Sequence, residues 1–337
     1  MRAVVLVGGE GTRLRPLTYK TPKGLLPIVN VAFLERQLAW LGSHGVDDVV
    51  LSLGYLPEAF REHFSTGGRD EGRFGDMTLR FREEPEPLGT AGGIRFAAEG
   101  IDERIIVCNG DVLTDLDLGA VLEFHEARHA EATIALTEVE DPSAFGVVPT
   151  RGDGEVVAFV EKPPPGRAPT NWINAGTYVL EPSVLGRIPS RLMVSIERET
   201  FPRMLDRPGR LFGFPSDAYW LDIGTPEKYL QANADVLAGR LGRPPVADAV
   251  ETAPGVWVEG DVEIAADARL VAPVLLGAGC RVGAGASVKG SVVGRGVSVG
   301  AGAHLTDAVV LAGAAVQAGA RIERAVAGPD GPLGVSP

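Results

Sequence analysis

Cysteine is nearly absent from this sequence: Cys108 and Cys280 are the only two in 337 residues, and they lie far apart. Such a pair builds no disulfide framework, so both are expected as buried thiols in a reducing cytoplasm. Long apolar runs are missing too. The N-terminal run "AVVLV" has five residues, too few for a signal peptide, and no later stretch approaches the twenty that span a bilayer. No membrane partner is expected. Positive charge is scarce, with 32 Lys and Arg against 44 Asp and Glu and a net charge of −12. That balance disfavours nucleic acid and anionic membranes as partners. The five histidines bring no metal-ligand pattern. His125 and His129 stand at i and i+4 without a Glu or Cys motif beside them, and they are expected to pack or face solvent.

Against this background one stretch stands out, "GGEGTRLRPLTYKTPKGLLP" from Gly8 to Pro27. It holds three glycines in four positions, then Arg13, Arg15, Lys20 and Lys23, with only Glu10 opposing them. Glycines let backbone N–H groups turn inward onto an anion. Two familiar phosphate loops are excluded. A dinucleotide fingerprint needs a third glycine that this loop does not have, and a Walker loop needs a terminal G-K-[ST] that is not there. Arg13 and Lys23 suit a triphosphate that loses pyrophosphate: a guanidinium holds two phosphates, and an ammonium neutralises charge at the α-phosphorus.

Up to about residue 230, short apolar runs ("AVVLV", "DVVLSL", "MTLRF", "RIIVCN", "ATIALTEV") alternate with helical patterns. That alternation predicts an α/β domain, a doubly wound Rossmann-like mixed sheet, with ligands at the carboxyl ends of its strands. Residues 231–255 read as a helix and a Pro-containing linker. From Val256 aliphatic residues recur every six positions: Val258, Ile264, Leu270, Leu276, Val282, Val288, then Val293, Val299 and Leu305 after a five-residue step. A six-residue period means a parallel β-helix, left-handed, over 256–337 with about four coils. The terminal "GPDGPLGVSP" is expected to fray.

The loop resembles the signature of the sugar-1-phosphate nucleotidyltransferases. The similarity continues through "EPEPLGTAGG", "NGDV", "FGVV", "VEKP", "INAGTYV", "SIERETFP" and "WLDIGTPE". In order and spacing these motifs most resemble those of bacterial mannose-1-phosphate guanylyltransferases, over nearly the whole chain. The resemblance implies attack of a sugar 1-phosphate on the α-phosphorus of an NTP, giving a nucleotide sugar and pyrophosphate. It implies catalytic roles for Arg13, Lys23 and Asp111, and nucleotide contacts at Gly8, Gly9, Gly11, Thr12, Arg13, Glu84, Gly89 and Thr90. The sugar phosphate falls to Gly146, Glu161, Lys162, Asn174 and Gly176, and magnesium to Asp111 and Asp222, hard carboxylates suited to that ion. Asp115 and Asp117 are assigned to capping the next helix.

Glu84 bears on the base. A carboxylate accepts from both the ring N–H and the exocyclic amine of guanine, whereas pyrimidine carbonyls repel it; some pyrimidine-using relatives place a glutamine there. The alternative is plain surface charge beside Glu83 and Glu86. GTP and mannose 1-phosphate are therefore the expected substrates. Alternatives are a dTTP- or UTP-dependent glucose-1-phosphate enzyme, a guanylyltransferase for an unusual heptose or cyclitol phosphate, or a catalytically silent regulatory paralogue. Two positions depart from the family pattern, Gly24 in "PKGL" where proline is usual, and "NVAFL" where N-K-P is usual. The β-helix is expected to assemble the chain as a homo-oligomer, and acyl transfer is disfavoured because His304 is its only histidine.

Overall fold

The computed structural model describes residues 1–334 apart from 67, 207–208, 243 and 330. The chain forms two compact units, one of Met1–Glu10 and Gln37–Trp220, the other of Gly11–Arg36 and Leu221–Pro337. Among the described residues no helix is long and apolar enough to cross a membrane.

The first unit is built on a mixed sheet. Arg2–Leu6 lies at its centre, parallel to Asp48–Leu53 on one side and to Ile105–Asn109 on the other, and Met77–Glu83 extends the parallel set. These strands are apolar runs because both faces are covered, as buried parallel strands require. Trp172–Leu180 adds antiparallel to Ile105–Asn109 and also pairs with Ala132–Glu138, which in turn runs parallel to Leu211–Ser216. At one edge Gly146–Val147 and Val160–Glu161 form a short antiparallel extension. The helices Pro57–Phe64, Gly89–Ala97 and Leu118–Ala127 alternate with these strands, as the sequence pattern predicts. The core gathers Val4, Val50, Ile94, Val107, Ile134, Tyr178 and Phe201.

In the second unit the hexad pattern becomes a left-handed β-helix of three parallel sheets. Strand partners are 18 residues apart in the first coil, as in Arg269 against Ser287, and 17 thereafter, as in Ser287 against His304 and His304 against Arg321. The shortening falls at one corner, where Gly290, Asp307 and Arg324 all take left-handed backbone conformations. Val258, Leu276, Val293 and Val310 fill the interior with their stacked neighbours. One face differs from the other two. Its outward column, Trp257–Leu275–Val292–Val309–Val326, is apolar and buried, whereas Arg281, Ser298, His304 and Arg321 on the other faces are exposed. At the last strand of this column, Ala325–Gly328, the Pro226–Leu237 helix of the same unit lies alongside.

Both ends of the β-helix are closed by antiparallel strands. Ala249–Ala253, within the expected linker, pairs with Val256–Glu259. Gly331–Gly334, within the segment expected to fray, pairs with Ala325–Gly328. Residues 330 and 335–337 of that segment lie outside the described set. Pairing the last strand antiparallel satisfies backbone groups that the final coil would otherwise leave open.

Candidate active site

In the first unit the Arg2–Leu6 strand delivers Gly8 to its carboxyl end. Gly8 and Gly54 lie backbone to backbone: a Cβ on Gly54 would stand 2.8 Å from the Gly8 carbonyl, which accepts the Tyr55 N–H at 3.2 Å. A Cβ on Gly9 would meet nothing within 4 Å, and the residue is exposed. Glu84, just past the Met77–Glu83 strand, is half-buried rather than a loose surface charge. Its Oε1 accepts the Ser52 hydroxyl at 2.9 Å and its Oε2 the Leu88 N–H at 3.0 Å. The same carboxylate rests on Gly93, where a Cβ would lie 2.7 Å from Oε1, and 3.7 Å from where a Gly8 Cβ would be. Glu83, by contrast, is exposed and pairs with Arg61.

Gly89 opens the following helix at φ +68°, with the Val194 carbonyl 2.7 Å from where its Cβ would be. The Thr90 hydroxyl donates to Glu197 at 2.8 Å and accepts the Ile196 N–H at 2.8 Å. It is thus committed within the protein, tying the helix start to "SIERETFP". Glu197 also accepts from Ser195, which caps that segment through the Arg198 N–H.

Asp111 follows the Ile105–Asn109 strand and is half-buried. Gly110 before it admits no side chain, since a Cβ would sit 2.5 Å from the Leu6 carbonyl. Asn109 packs beneath Gly176, whose φ of +73° and close approach both exclude a side chain. Asn174 is held in a local network. Its Oδ1 accepts the Gly176 N–H at 2.9 Å, and its Nδ2 donates to the Tyr178 hydroxyl at 2.8 Å. Burial pushes the Tyr178 phenol well above its ordinary value, and the negative charges of Glu197 and Asp111 add to the effect. It remains a neutral hydrogen-bonding group near both carboxylates.

Gly146 and Glu161 are cross-strand partners, with Glu161 Oε2 3.0 Å from where a Gly146 Cβ would lie. Lys162, at φ +49° and with its side chain 59% exposed, places its ammonium 3.8 Å from Glu161, and Arg198 reaches the same carboxylate at 3.5 Å. Phe145 and Trp220 meet edge to face at 5.6 Å, and the Trp220 indole donates to the Ala175 carbonyl at 2.9 Å. Glu197, Arg198, Phe145 and Trp220 were given no individual role by the sequence, although each falls within or beside a quoted motif.

In the second unit, Gly11 (φ +61°) turns the loop, and its carbonyl accepts the Thr18 hydroxyl at 2.9 Å. Thr12–Leu14 form a 3-10 turn with Leu14 buried. The Arg13 guanidinium lies on Gly224, where a Cβ would approach Nη2 to 2.6 Å. Lys23–Leu25 form a second single turn, and the Lys23 ammonium stands 3.9 Å from Asp222 Oδ1. Gly24, the departure from the family proline, is buried inside that turn. Leu14, Leu26, Ile28, Phe33, Ile223 and Tyr229 line a small cavity that Lys23 also borders. One assignment is corrected here. Asp117 caps the Leu118–Ala127 helix, but Asp115 accepts the Tyr219 N–H at 2.8 Å instead of capping anything.

Both cysteines are buried thiols as expected; burial pushes Cys108 up to about 12 and Cys280 up to about 11, which leaves them unreactive near neutrality. Among the described residues no group of three or more His, Cys, Asp or Glu side chains could hold a metal ion. A magnesium ion needs only one or two carboxylates and completes its shell with water and substrate phosphate; of the two aspartates expected to bind it, Asp111 belongs to the first unit and Asp222 to the second.

The nucleotidyl transferase family model matches residues 2–239, and a GlmU-like C-terminal hexapeptide model matches residues 262–330. The mannose-1-phosphate guanylyltransferase of Mycobacterium tuberculosis is 38% identical over 302 residues, covering 86% of this chain and 79% of its own. The mannose-1-phosphate guanyltransferase of Yarrowia lipolytica is 40% identical over 251 residues, 73% of this chain and 67% of its own. Among solved structures, HddC from Yersinia pseudotuberculosis superposes with a TM-score of 0.58 at 31% identity, covering 69% of this chain and 97% of that one. A second structure of HddC, complexed with GMP-PN, gives a TM-score of 0.56.

Proposed function

This chain belongs to the nucleotidyl transferase family, and from that premise we propose that it makes GDP-mannose from GTP and mannose 1-phosphate. A phosphate oxygen of the sugar 1-phosphate attacks the α-phosphorus of GTP; the new O–P bond forms as the bond to the β-phosphate oxygen breaks, and pyrophosphate leaves. Both reactants are anions, so the protein must align them and offset their charge. In this reading Arg13 binds the leaving β- and γ-phosphates and Lys23 the α-phosphate, with Gly8, Gly9, Gly11 and Thr12 lending backbone donors. Asp111 and Asp222 would hold magnesium, which supplies charge neutralisation at the phosphates. Lys162 binds the phosphate of the sugar, while Glu161 and Asn174 meet its hydroxyls and Gly146 and Gly176 leave room for the ring.

The observation that carries the choice of guanine is the posture of Glu84. Ser52 and Leu88 fix its carboxylate beside Gly8, and each oxygen keeps a second lone pair for the ring N–H and the amine of guanine. Gly89 and Thr90 shape the same loop. Mannose rests on the similarity to guanylyltransferases over most of the chain. Arg13, Lys23, Asp111, Lys162 and Asp222 are all present, which disfavours a silent paralogue. The test is product identification: incubation with GTP, mannose 1-phosphate and magnesium yields GDP-mannose and pyrophosphate in equal amounts by chromatography and mass spectrometry. No nucleotide sugar under those conditions rejects the reading. A cytoplasmic location and assembly of copies through the β-helix belong to the same reading. A monomer by light scattering at micromolar concentration contradicts the latter.

A further inference from the structure

The segment "NVAFL" that departs from the family pattern begins at the tip of an unusual hairpin, which starts four residues beyond Lys23 inside the second unit. Pro27–Ile28 pairs with Val31–Ala32, and the two tip residues, Val29 (φ 48°) and Asn30 (φ 59°), are both left-handed. Such a pair forms a tight hairpin turn, but a β-branched residue enters that region only when its surroundings hold it there. Here they do, through several polar groups along the hairpin. The Val29 N–H donates to the buried amide of Asn233 at 2.8 Å, and Asn233 is itself fixed by donating to the Tyr229 carbonyl at 2.9 Å. The Tyr229 hydroxyl donates to the Pro27 carbonyl. The Arg36 guanidinium donates to the carbonyls of Ile28 at 2.9 Å, Val29 at 3.3 Å and Pro245 at 2.9 Å; burial lowers its pKa to about 10, still charged at neutral pH.

The last contact reaches the β-helix. Asn30 Nδ2 donates to Glu259 Oε2 at 2.8 Å and lies 3.3 Å from the Val293 carbonyl. Glu259 is only 4% exposed, and its other oxygen accepts from Arg295 at 2.7 Å. A carboxylate so buried needs both partners, because an unpaired buried charge is costly. A Cβ on Gly277 would stand 2.6 Å from the Arg295 backbone nitrogen and 2.8 Å from the Asn30 amide, so the stacking of the coils and the clasp both exclude a side chain there. Coil stacking calls for the glycine, but not for a buried carboxylate and a basic partner on this apolar face.

We infer that Glu259 and Asn30, with Arg295 and Asn233 supporting them, are positioning residues for Lys23, so that the β-helix sets the geometry of the triphosphate loop. The clasp holds the hairpin tip. The hairpin stem leads directly back through Leu26, whose N–H bonds the Lys23 carbonyl at 3.1 Å and whose carbonyl accepts the Phe33 N–H at 3.0 Å. Lys23 therefore sits between two anchors, its own contact with Asp222 and the clasp. The role in catalysis rests on the proposed function; the mechanical link does not.

The experiment uses the full chain with Asn30→Gly, which keeps the left-handed turn and removes only the amide, alongside Glu259→Ala and Glu259→Gln. Two readouts are taken. The first is the acylation rate of each of the five lysines, followed by mass spectrometry. Lys23 is 13% exposed and Lys162 59%, so loosening the loop alone raises Lys23 labelling severalfold and leaves Lys162 unchanged. The second is steady-state kinetics. A displaced Lys23 lowers kcat or raises the KM for GTP by about tenfold to a hundredfold, the scale for an ångström of misplacement, while the KM for mannose 1-phosphate stays within about twofold. Glu259→Gln keeps one acceptor oxygen and turns an amine toward the other donor, so it loses either the Asn30 or the Arg295 contact and gives losses between those of wild type and Glu259→Ala. Unchanged Lys23 labelling in Asn30→Gly overturns the inference, as does an equal rise at Lys23 and Lys162. Faster Lys23 labelling with unaltered kinetics overturns the positioning role. If the wild-type chain transfers no nucleotide at all, the proposed function fails, and the labelling still decides whether the clasp holds Lys23.

Discussion

The ammonium of Lys23 stands 3.9 Å from the carboxylate of Asp222, on a side chain that is only 13% exposed and borders a small cavity with Leu14, Leu26, Ile28 and Tyr229. Two groups assigned to opposite partners, a phosphate and a cation, hold each other in place before either partner arrives. Such preorganisation costs nothing at the moment of reaction. Lys23→Met, which keeps the stem and removes the charge, is expected to lower kcat by about two to three orders of magnitude, the scale for a lost transition-state contact. Single-turnover kinetics measures it; a change confined to KM contradicts a role at the α-phosphorus. Arg13→Ala is expected to lower kcat on the same scale.

Lys162 is assigned to the other substrate. Its exposed ammonium, beside Glu161 and Arg198, contrasts with the packed Lys23. Lys162→Ala is expected to raise the KM for mannose 1-phosphate at least about tenfold, the loss of one charged hydrogen bond, and to leave the KM for GTP nearly unchanged. Equal effects on both substrates remove the assignment.

Glu84→Gln separates base reading from loop structure. Glutamine keeps one acceptor oxygen but turns an amine toward donors, so one of the contacts to Ser52, Leu88 or the base is lost. The preference for GTP over UTP, as a ratio of kcat/KM, is expected to fall by about ten- to a hundredfold. A fall in activity with the ratio intact makes Glu84 a loop residue and not a reader of guanine.

His125 gives a pH prediction. It is buried, with Nδ1 2.8 Å from the Thr133 hydroxyl and Nε2 3.2 Å from Glu181, which Arg104 also engages. Burial lowers its pKa below 6.5; Arg104 acts in the same direction, while Glu181 and Glu126 oppose it. The unfolded chain therefore takes up this proton first, so the stability His125 contributes is complete above about pH 6.5 and declines as pH falls through that value. An NMR titration of the ring should show a midpoint below 6.5. A midpoint above it means that the pairing with Glu181 outweighs burial.

Much of this architecture was legible in the sequence. The apolar strands of the first unit and the hexads of the second declare themselves because period and burial coincide there. What escaped is instructive. The paired aliphatics Val292–Val293 and Val309–Val310 recur on one face alone and mark the face that is buried on both sides; a reading of one aliphatic per hexad passes over them. The closing strand Gly331–Gly334 is rich in glycine and proline, which locally resembles a frayed end, and only the exposed rim of the last coil gives it a partner. Asp115 looked like a cap by spacing, yet its bond to Tyr219 spans more than a hundred residues. The Asn30–Glu259 contact was invisible for the same reason: two polar residues 229 apart carry no local pattern. Motifs named the residues proposed for the site, but their hydrogen bonds, such as Thr90 to Glu197, needed coordinates.

The most direct test of the central claim is pyrophosphate release with magnesium, crossing GTP, dTTP, UTP and ATP against mannose and glucose 1-phosphates. Turnover confined to GTP with mannose 1-phosphate is the predicted result. Faster turnover with a pyrimidine nucleotide, or none in any pairing, contradicts it.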